Sequence, residues 1–432
     1  MTGAEASLAA LAGVQEPRLG KKVKAVMLTA VAAGEMQTIR RTSLAAKTHL
    51  IQAFVPDLLL RDLLTAPDPL QAACRPLEAA CLCADISGFT ALSERHAQEG
   101  AAGLDKLVLI INDYYARLVG AVYRHGGDII KIAGDALYIV FPAEGSLHSA
   151  VLSACRCSLE LRDVATDALS LHCGISSGEL CWGMLGGVDN YWEFLISGEP
   201  IKVVATALDE ASQRQVSVSS ESWDLVQKDV KGMPLESGNL LLEEVIQEVE
   251  AEKNSALNLA HSREPMLASM APLVACFVPA PVLSLVQGGI FDYMAEMRTV
   301  TTMFCKLDSY DPVTHRSLLS LQQHLVTAQE ILLETEGFLR QFIVDDKGCV
   351  LLACWGIPGK SHSDNPARAV AAAVEIQSNL STQGMQTSVG ITTGRALLGR
   401  IGGKKRSEYA MVGDVINMAA RLMGKAKGGL LC

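Results

Sequence analysis

The sequence predicts an α+β protein built from two copies of one fold. The segment CGISSGELCWGMLGG at Cys173–Gly187 returns 216 residues later as VGITTGRALLGRIGG at Val389–Gly403. In each copy, apolar strand patterns alternate with amphipathic helix patterns, and a two-strand hairpin follows the long first helix. We therefore expect each copy to form a sheet with helices packed on one face.

The first copy gives the clearest element boundaries. In chain order, the predicted elements are a strand at Ala79–Asp85, a helix at Ala101–His125, a hairpin around Gly134–Asp135, a helix at Leu147–Val164, a strand at Leu171–Ser176 and a helix at Pro200–Ala211. The second copy repeats this order, since YRHGGDIIKIAGDALYIVFP from Tyr123 corresponds to TEGFLRQFIVDDKGCVLLACWGIP from Thr335.

The repeat divides the 432 residues into predicted domains. These are a loosely ordered N-terminal extension (1–50), a first domain with its lead-in (51–225), a linker (226–265) and a second domain with its lead-in (266–432). The apolar lead-ins are similar, FVPDLLLRDL from Phe54 and FVPAPVLSLV from Phe277. The acidic stretch Leu240–Glu252 fits either a linker or a last helix of the first copy. Because the chain stops at GGLLC, the second domain is expected to lack its last strands.

Composition excludes several functions and locations. The net charge is −10 and no lysine or arginine block is dense, so we expect no nucleic-acid partner. Twelve cysteines without paired CxxC motifs suit a reducing compartment, and we predict a soluble, cytoplasmic protein. The stretch Met266–Phe291 has no charged residue, but its prolines and glycines divide it into short pieces, so no transmembrane span is predicted.

In the first copy, one aspartate ends a predicted strand and another lies in the turn between two predicted strands. In ACLCADISGFTALSE, Asp85 ends an apolar strand just before a turn that opens a helix near Thr90, where backbone amides favour phosphate. In KIAGDALYIVF, Asp135 lies in the hairpin turn. Either aspartate alone is more often a turn or helix cap. Together, the two carboxylates predict a site for two divalent cations beside a phosphate-binding turn.

These motifs also carry a resemblance to a known family. DISGFT from Asp85, followed by GGDIIKIAGDA from Gly126, resembles the class III adenylyl and guanylyl cyclases. From Ile51 to the end, the chain looks most like the bicarbonate-regulated soluble adenylyl cyclases, which carry two cyclase halves in one cytosolic chain. The Gly126–Asp128 motif also suggests a diguanylate cyclase, but there the Gly-Gly pair forms the hairpin turn, whereas here it precedes the first strand.

The resemblance implies two ferredoxin-like domains paired as a pseudo-symmetric dimer within one chain. It implies an adenylate cyclase, a phosphorus-oxygen lyase that converts ATP to 3′,5′-cyclic AMP and pyrophosphate with two Mg²⁺ or Mn²⁺ ions, or Ca²⁺ as a further candidate. The implied metal ligands are Asp85, Ile86 and Asp135. Asn417 would orient the ribose and Arg421, one helical turn away, would stabilise charge on the α-phosphate. The other implied substrate-binding residues are Gly88, Phe89, Thr90, Lys131, Gln341, Ala410 and Met411.

The second copy lacks such ligands. Lys306 occupies the place of Asp85, and Gly348 is predicted opposite Asp135, with Asp345 and Asp346 nearby. The sequence therefore predicts one competent site and one degenerate site.

This chain departs from the family pattern in two places, the purine-selecting positions and the bicarbonate site. The lysine and threonine positions that select the purine read Gln341 and Ala410, so a guanylyl cyclase using GTP and a catalytically weak nucleotide-binding module remain alternatives. For bicarbonate, Lys131 is present, but the arginine position reads Ala205, with Lys202 in a different helical phase. Pairing with another cyclase chain also remains open.

Overall fold

The computed structural model describes most of the two predicted domains. The described residues are 50–64, 70–88, 101–166, 168–246, 270–288, 295–315, 317–345 and 348–432, with Lys47, Leu92, Arg95 and His96. Nearly all of the predicted N-terminal extension and residues 247–265 of the predicted linker lie outside them.

The first half contains a mixed sheet of eight strands among the described residues. The strands are β1 (Ala73–Ser87), β2 (Asp128–Ala133), β3 (Ala136–Pro142), β4 (Ser170–Gly186), β5 (Trp192–Ser197), β6 (Val216–Val218), β7 (Val230–Pro234) and β8 (Leu240–Val245). Their order is β2-β3-β1-β4-β6-β8-β7, and β5 pairs with the far end of β4.

The second half repeats this arrangement with six described strands. These are β9 (Ala295–Leu307), β10 (Phe338–Asp345), β11 (Gly348–Trp355), β12 (Thr387–Gly402), β13 (Ser407–Val412) and β14 (Leu430–Leu431). The order is β10-β11-β9-β12-β13, and β14 pairs in parallel with β12 as β6 does with β4. The predicted pair of α+β folds is thus confirmed.

Ten α-helices are used in the description below. They are α1 (Asp57–Leu63), α2 (Ala101–Arg124), α3 (Leu147–Asp163), α4 (Glu199–Glu210), α5 (Ser220–Val226), α6 (Ala271–Ala275), α7 (Ala280–Gly288), α8 (Gln322–Glu334), α9 (Asn365–Thr382) and α10 (Asp414–Ala426). The three helices predicted in the first copy are confirmed as α2, α3 and α4, each within one residue at either end. Within the described parts of the chain, no helix is long and apolar enough to cross a membrane.

The predicted linker 226–265 is wrong in its first part. Residues 230–234 and 240–245 form the hairpin β7–β8, which completes the first sheet through β6. Leu240 and Leu242 are buried while Glu243 and Glu244 are exposed. Both glutamates lie on β8 beyond the two residues that pair with β6, and both are exposed to solvent, so an acidic stretch typical of a linker belongs to a strand.

Each lead-in crosses to the other half. The carbonyl oxygen of Ala53, before α1, accepts a hydrogen bond from the amide of Ser407, the first residue of β13, at 2.6 Å. In the same way, the carbonyl of Cys276, before α7, accepts from the amide of Trp192, the first residue of β5, at 2.8 Å. These equivalent contacts relate the halves by a pseudo-twofold axis.

The long hairpins also exchange between halves. Leu185 and Leu195 of the β4–β5 hairpin belong to the core of the second half, and Ile401 and Ala410 of the β12–β13 hairpin belong to the core of the first. The amide of Gly402 donates to Asn112 Oδ1 of α2 at 3.1 Å. Burial of apolar side chains in each other's cores holds the halves together.

Candidate active site

The structure brings the two predicted metal-binding aspartates together. Asp85 lies near the end of β1, directly opposite Ala136 of β3, so Asp135 is one residue beyond that pair. The amide of Ile86 donates to the backbone oxygen of Asp135 at 3.0 Å. The Asp85 side chain is about one-third exposed and Asp135 is exposed, so both carboxylates are accessible to a solvent-borne ligand.

Two side chains that the motifs did not single out lie against these aspartates, the buried Tyr115 and the partly buried His172. The Tyr115 hydroxyl, on α2, donates to the carbonyl oxygen of Gly134 at 3.2 Å and so holds the hairpin turn. Burial, and then the negative charge of Asp135, raises the pKa of Tyr115, which keeps the hydroxyl protonated as a donor. On β4, His172 faces Asp85, with 3.8 Å between Nε2 and Oδ2. No sequence motif points to either residue: the register of β1 with β4 places His172, and the packing of α2 places Tyr115.

The donor set fits a hard divalent cation. Two carboxylates and nearby backbone oxygens are the ligands that Mg²⁺ prefers, and Mg²⁺ commonly binds through one or two carboxylates plus substrate phosphates. The described residues contain no group of three or more His, Cys, Asp or Glu side chains placed to hold a metal ion. The Ile86 side chain is buried in the core, so only its backbone can serve as a ligand.

Gly88 is the described part of the predicted phosphate-binding turn. Its φ is +95°, and a Cβ there would lie 2.4 Å from the carbonyl oxygen of Ala168. Only glycine fits this backbone position. Phe89 and Thr90, predicted to follow it in the turn, lie outside the described residues.

The strand register also identifies what replaces the aspartates in the second half. Asp85 pairs with His172 of β4, and Lys306 pairs with Ser388 of β12. Since His172 and Ser388 are separated by the 216-residue repeat, Lys306 takes the place of Asp85 as predicted.

The prediction of Gly348 opposite Asp135 is wrong by one residue. Asp85 pairs with Ala136, and Lys306 pairs with Val350, so Cys349 takes the place of Asp135. The β10–β11 hairpin closes two residue pairs farther along than β2–β3, and this extension shifts the alignment. Neither a lysine nor a buried thiol offers the carboxylate oxygens that the first half provides.

Asn417 and Arg421 lie on one face of α10, and both side chains are exposed. Arg406, in the hairpin that precedes α10, is buried and donates to the carbonyls of Ile129 and Ile130 on β2, at 2.9 and 3.1 Å. β2 leads into the turn that carries Asp135. The hairpin ahead of α10 and the strand ahead of the aspartate turn are thus fixed to each other.

The predicted base-binding residues lie on β10 and β13. Gln341 is buried and its Nε2 has no hydrogen-bond partner in the structure. Beside it, the Arg340 guanidinium pairs with Glu408 of β13 at 3.3 Å, which holds the two strands together. Ala410 and Met411 are also buried, and Ala410 packs in the core of the first half near Ile111. An unsatisfied buried amide is costly, so Gln341 is the residue most suited to accept a polar ligand.

Lys131 does not lie with the predicted base-binding residues on β10 and β13. Its ammonium pairs with the buried Glu193 of β5 at 3.4 Å. Burial raises the pKa of Glu193, and the charge of Lys131 opposes that shift. By strand register, Lys131 takes the place of Gln341 and Glu193 that of Glu408, so Lys131 occupies the degenerate site.

Lys202, which lies near the predicted bicarbonate position, is also held in an ion pair. Its ammonium pairs with Asp311 of the second half at 2.5 Å between Nζ and Oδ1. Beside it, the hydroxyls of Ser197 and Tyr310 hydrogen-bond across the same interface at 3.2 Å. With both nearby lysines in ion pairs, bicarbonate binding stays a prediction.

Comparison with known proteins agrees with this architecture. Residues 75–240 match the family described as "Adenylate and Guanylate cyclase catalytic domain". Adenylate cyclase type 10 of Homo sapiens is 24% identical over 416 residues, and that of Mus musculus is 26% identical over 417 residues. Each alignment covers 88% of this chain and 26% of the relative, so the chain spans about a quarter of their length.

A solved structure shows the same fold. It is described as a class III adenylyl cyclase-like ATP-binding protein from Pseudomonas aeruginosa. The TM-score is 0.56 at 12% identity, over 83% of this chain and 84% of that one. The catalytic-domain match over residues 75–240 and the alignment with adenylate cyclase type 10 along most of this chain show that it is similar to the class III nucleotide cyclases.

Proposed function

We propose that this chain converts ATP to 3′,5′-cyclic AMP and pyrophosphate at one site between its halves. The observation that supports this most directly is the asymmetry of the two copies. Asp85 and Asp135 are neighbours in the first half, whereas Lys306 and Cys349 take their places in the second. The site that retains both carboxylates is therefore the one proposed to act.

In this proposal, the carboxylates of Asp85 and Asp135, with the backbone of Ile86, hold the divalent ions. Bound Mg²⁺ or Mn²⁺ would lower the pKa of the ribose 3′-hydroxyl and neutralise phosphate charge. The bond that forms joins O3′ to the α-phosphorus, and the bond that breaks releases pyrophosphate, while the hydroxyl proton passes to solvent. The turn at Gly88 is proposed to bind the phosphates.

The second half supplies orientation and charge. Asn417 is proposed to hold the ribose so that its 3′-hydroxyl faces the α-phosphate, which lowers the entropic cost of the reaction. Arg421, four residues along the same helix face, would donate to the α-phosphate oxygens as negative charge builds on them. Its planar guanidinium suits a phosphate better than an ammonium would.

A second candidate is a nucleotide-binding module with little or no turnover. Ala410 offers no polar side chain to a purine, and the structural neighbour from Pseudomonas aeruginosa is described as ATP-binding. Guanylyl cyclase activity is a third candidate, because the amide of Gln341 can present either a donor or an acceptor to the base. The cytoplasmic location and bicarbonate response stay predictions.

One assay separates these candidates. The purified chain is incubated with ATP or GTP and Mg²⁺ or Mn²⁺, and cyclic nucleotide is quantified. We expect cyclic AMP from ATP. Cyclic GMP from GTP without cyclic AMP from ATP would overturn the base assignment, and saturable ATP binding without either product would support the binding module instead.

The substitution Gln341→Leu tests recognition of the base. Leucine keeps a similar volume but removes the buried Nε2 donor, so one hydrogen bond to the purine is lost. We expect KM for ATP to rise about 5- to 10-fold with little change in kcat. Steady-state kinetics, with a melting curve to check folding, would measure this, and an unchanged KM would exclude Gln341 from the base pocket.

Tyr115→Phe tests support of the Asp135 turn. Loss of the hydroxyl leaves the Gly134 carbonyl without this donor, and we expect kcat to fall about 2- to 10-fold. Tyr114→Phe is a matched control, because the neighbouring Tyr114 hydroxyl is equally buried but has no hydrogen-bond partner. Equal losses in the two variants would contradict a specific role for Tyr115.

A further inference from the structure

A cavity of about 340 Å³ lies away from the two aspartates, where both halves meet the second lead-in. Its walls come from the turn at 188–191, the lead-in and helices at 272–283, helix α8 near Gln329, and the start of β10. Lys360 completes the lining. A volume of this size is within the range of pockets that hold small organic molecules.

The cavity exists because the pseudo-symmetry fails at one residue. Trp192 and Ser407 are equivalent, since each amide donates to a lead-in carbonyl of the other half. The residues before them are Tyr191 and Arg406. The Arg406 side chain fills its interface and donates to the carbonyls of β2, whereas the Tyr191 hydroxyl turns to Glu193 at 3.2 Å. At the first half's interface, no guanidinium occupies the corresponding space.

The turn that borders the cavity is held rigidly. Gln329 Oε1 accepts from the amide of Val188 at 3.3 Å, and its Nε2 donates to the carbonyl of Tyr191 at 3.0 Å. The Gln329 side chain is buried, and both of its polar atoms are hydrogen-bonded to this turn. A preformed wall lowers the entropic cost of binding a ligand.

The lining is mainly apolar with one available cation. Leu283, Leu332 and Phe338 are among its apolar side chains. Among the described residues, Lys360 has no ion-pair or side-chain hydrogen-bond partner. Asp189, on the exposed turn, is the one carboxylate in the lining. An apolar body with a single anionic group matches this combination.

We propose that this cavity binds an amphipathic small molecule that has an apolar, ring-containing body and one anionic group directed at Lys360. Because its walls belong to both halves and to the second lead-in, such a ligand stabilises their pairing. The site is separate from the proposed catalytic one, so it does not depend on the cyclase proposal.

The test uses 1-anilinonaphthalene-8-sulfonate, a fluorescent molecule with an aromatic body and one sulfonate. Titration of the full chain should give saturable fluorescence with one molecule per chain, and the far-UV circular dichroism melting temperature should rise with ligand concentration. Non-saturating fluorescence, or a stoichiometry well above one, would overturn the proposal.

Three variants locate the bound probe. Ala275→Phe, which adds a ring to the cavity wall, should abolish saturable binding. Lys360→Gln should raise Kd about 2- to 5-fold, and Lys360→Arg should restore it. Asp189→Asn, the control on the opposite wall, should leave Kd unchanged or lower it. If Ala275→Phe fails to fold, the variants Lys360→Gln and Lys360→Arg still test the proposal. Equal Kd values for Lys360→Gln and the parent chain would contradict the proposed orientation of the anionic group.

Discussion

Replacement of Asp135 by asparagine is expected to lower kcat for cyclic AMP formation at least about 100-fold. Asparagine keeps the size of the side chain but removes one of two carboxylate charges at the proposed metal site. Metal-assisted charge stabilisation contributes several kcal/mol to such reactions, and each 1.4 kcal/mol corresponds to about tenfold in rate. The loss should be partly relieved by Mn²⁺, which tolerates a neutral oxygen ligand better than Mg²⁺ does.

The degenerate half offers the matched control. Cys349→Ala changes the residue that takes the place of Asp135, and it should leave kcat within about twofold, because we assign no metal to that half. The two variants should be compared at equal fractions of folded protein, judged by circular dichroism. A parent-like kcat in Asp135→Asn, or equal losses in both variants, would refute the assignment of the metal to the first half.

Arg406→Met is expected to reduce the melting temperature by roughly 5–10 °C. The guanidinium donates to the carbonyls of Ile129, Ile130 and Ala53 and approaches the Glu408 carboxylate at 3.5 Å. Methionine fills part of the volume but cannot donate to these buried acceptors, so Ile129 and Ile130 lose the guanidinium, while Ala53 keeps the Ser407 amide and Glu408 keeps Arg340. Loss of one partner from a buried charged network commonly costs about 3–5 kcal/mol.

Lys405→Ala is the control for Arg406, because Lys405 is the adjacent hairpin residue and is exposed. Its melting temperature should stay within about 1 °C of the parent chain, since surface substitutions rarely exceed half a kcal/mol. A small shift in Arg406→Met, similar to that of Lys405→Ala, would show that the hairpin is not anchored through this guanidinium.

The repeat in the sequence predicted the two α+β halves because strand and helix periodicities survive even where identities do not. The neighbouring positions of Asp85 and Asp135 followed from the same logic, since one ends a strand and the other lies in the adjacent hairpin turn. The prediction failed at β7–β8, where exposed glutamates on a strand resemble the composition of a linker.

Three other features depend on tertiary packing that no local pattern encodes. Cys349 rather than Gly348 replaces Asp135 because a hairpin is two pairs longer, which only strand register reveals. The supporting roles of Tyr115 and His172 come from contacts between elements far apart in sequence. The sequence suggested Lys131 as a substrate ligand, but its ion pair with Glu193 spans two strands that are not neighbours in the sheet.

The crossed lead-ins have a consequence for the order of events during synthesis. Ala53 reaches its final hydrogen-bond partners only when Ser407 and Arg406 exist, and Arg406 lies 353 residues downstream. At about 5–20 residues per second, the ribosome needs roughly 20–70 s to make that stretch. During that interval, the apolar residues around Phe54 cannot contact the β12–β13 hairpin, because it has not yet been synthesised. The N-terminal lead-in therefore docks only after the β12–β13 hairpin has been made, and its docking requires both halves.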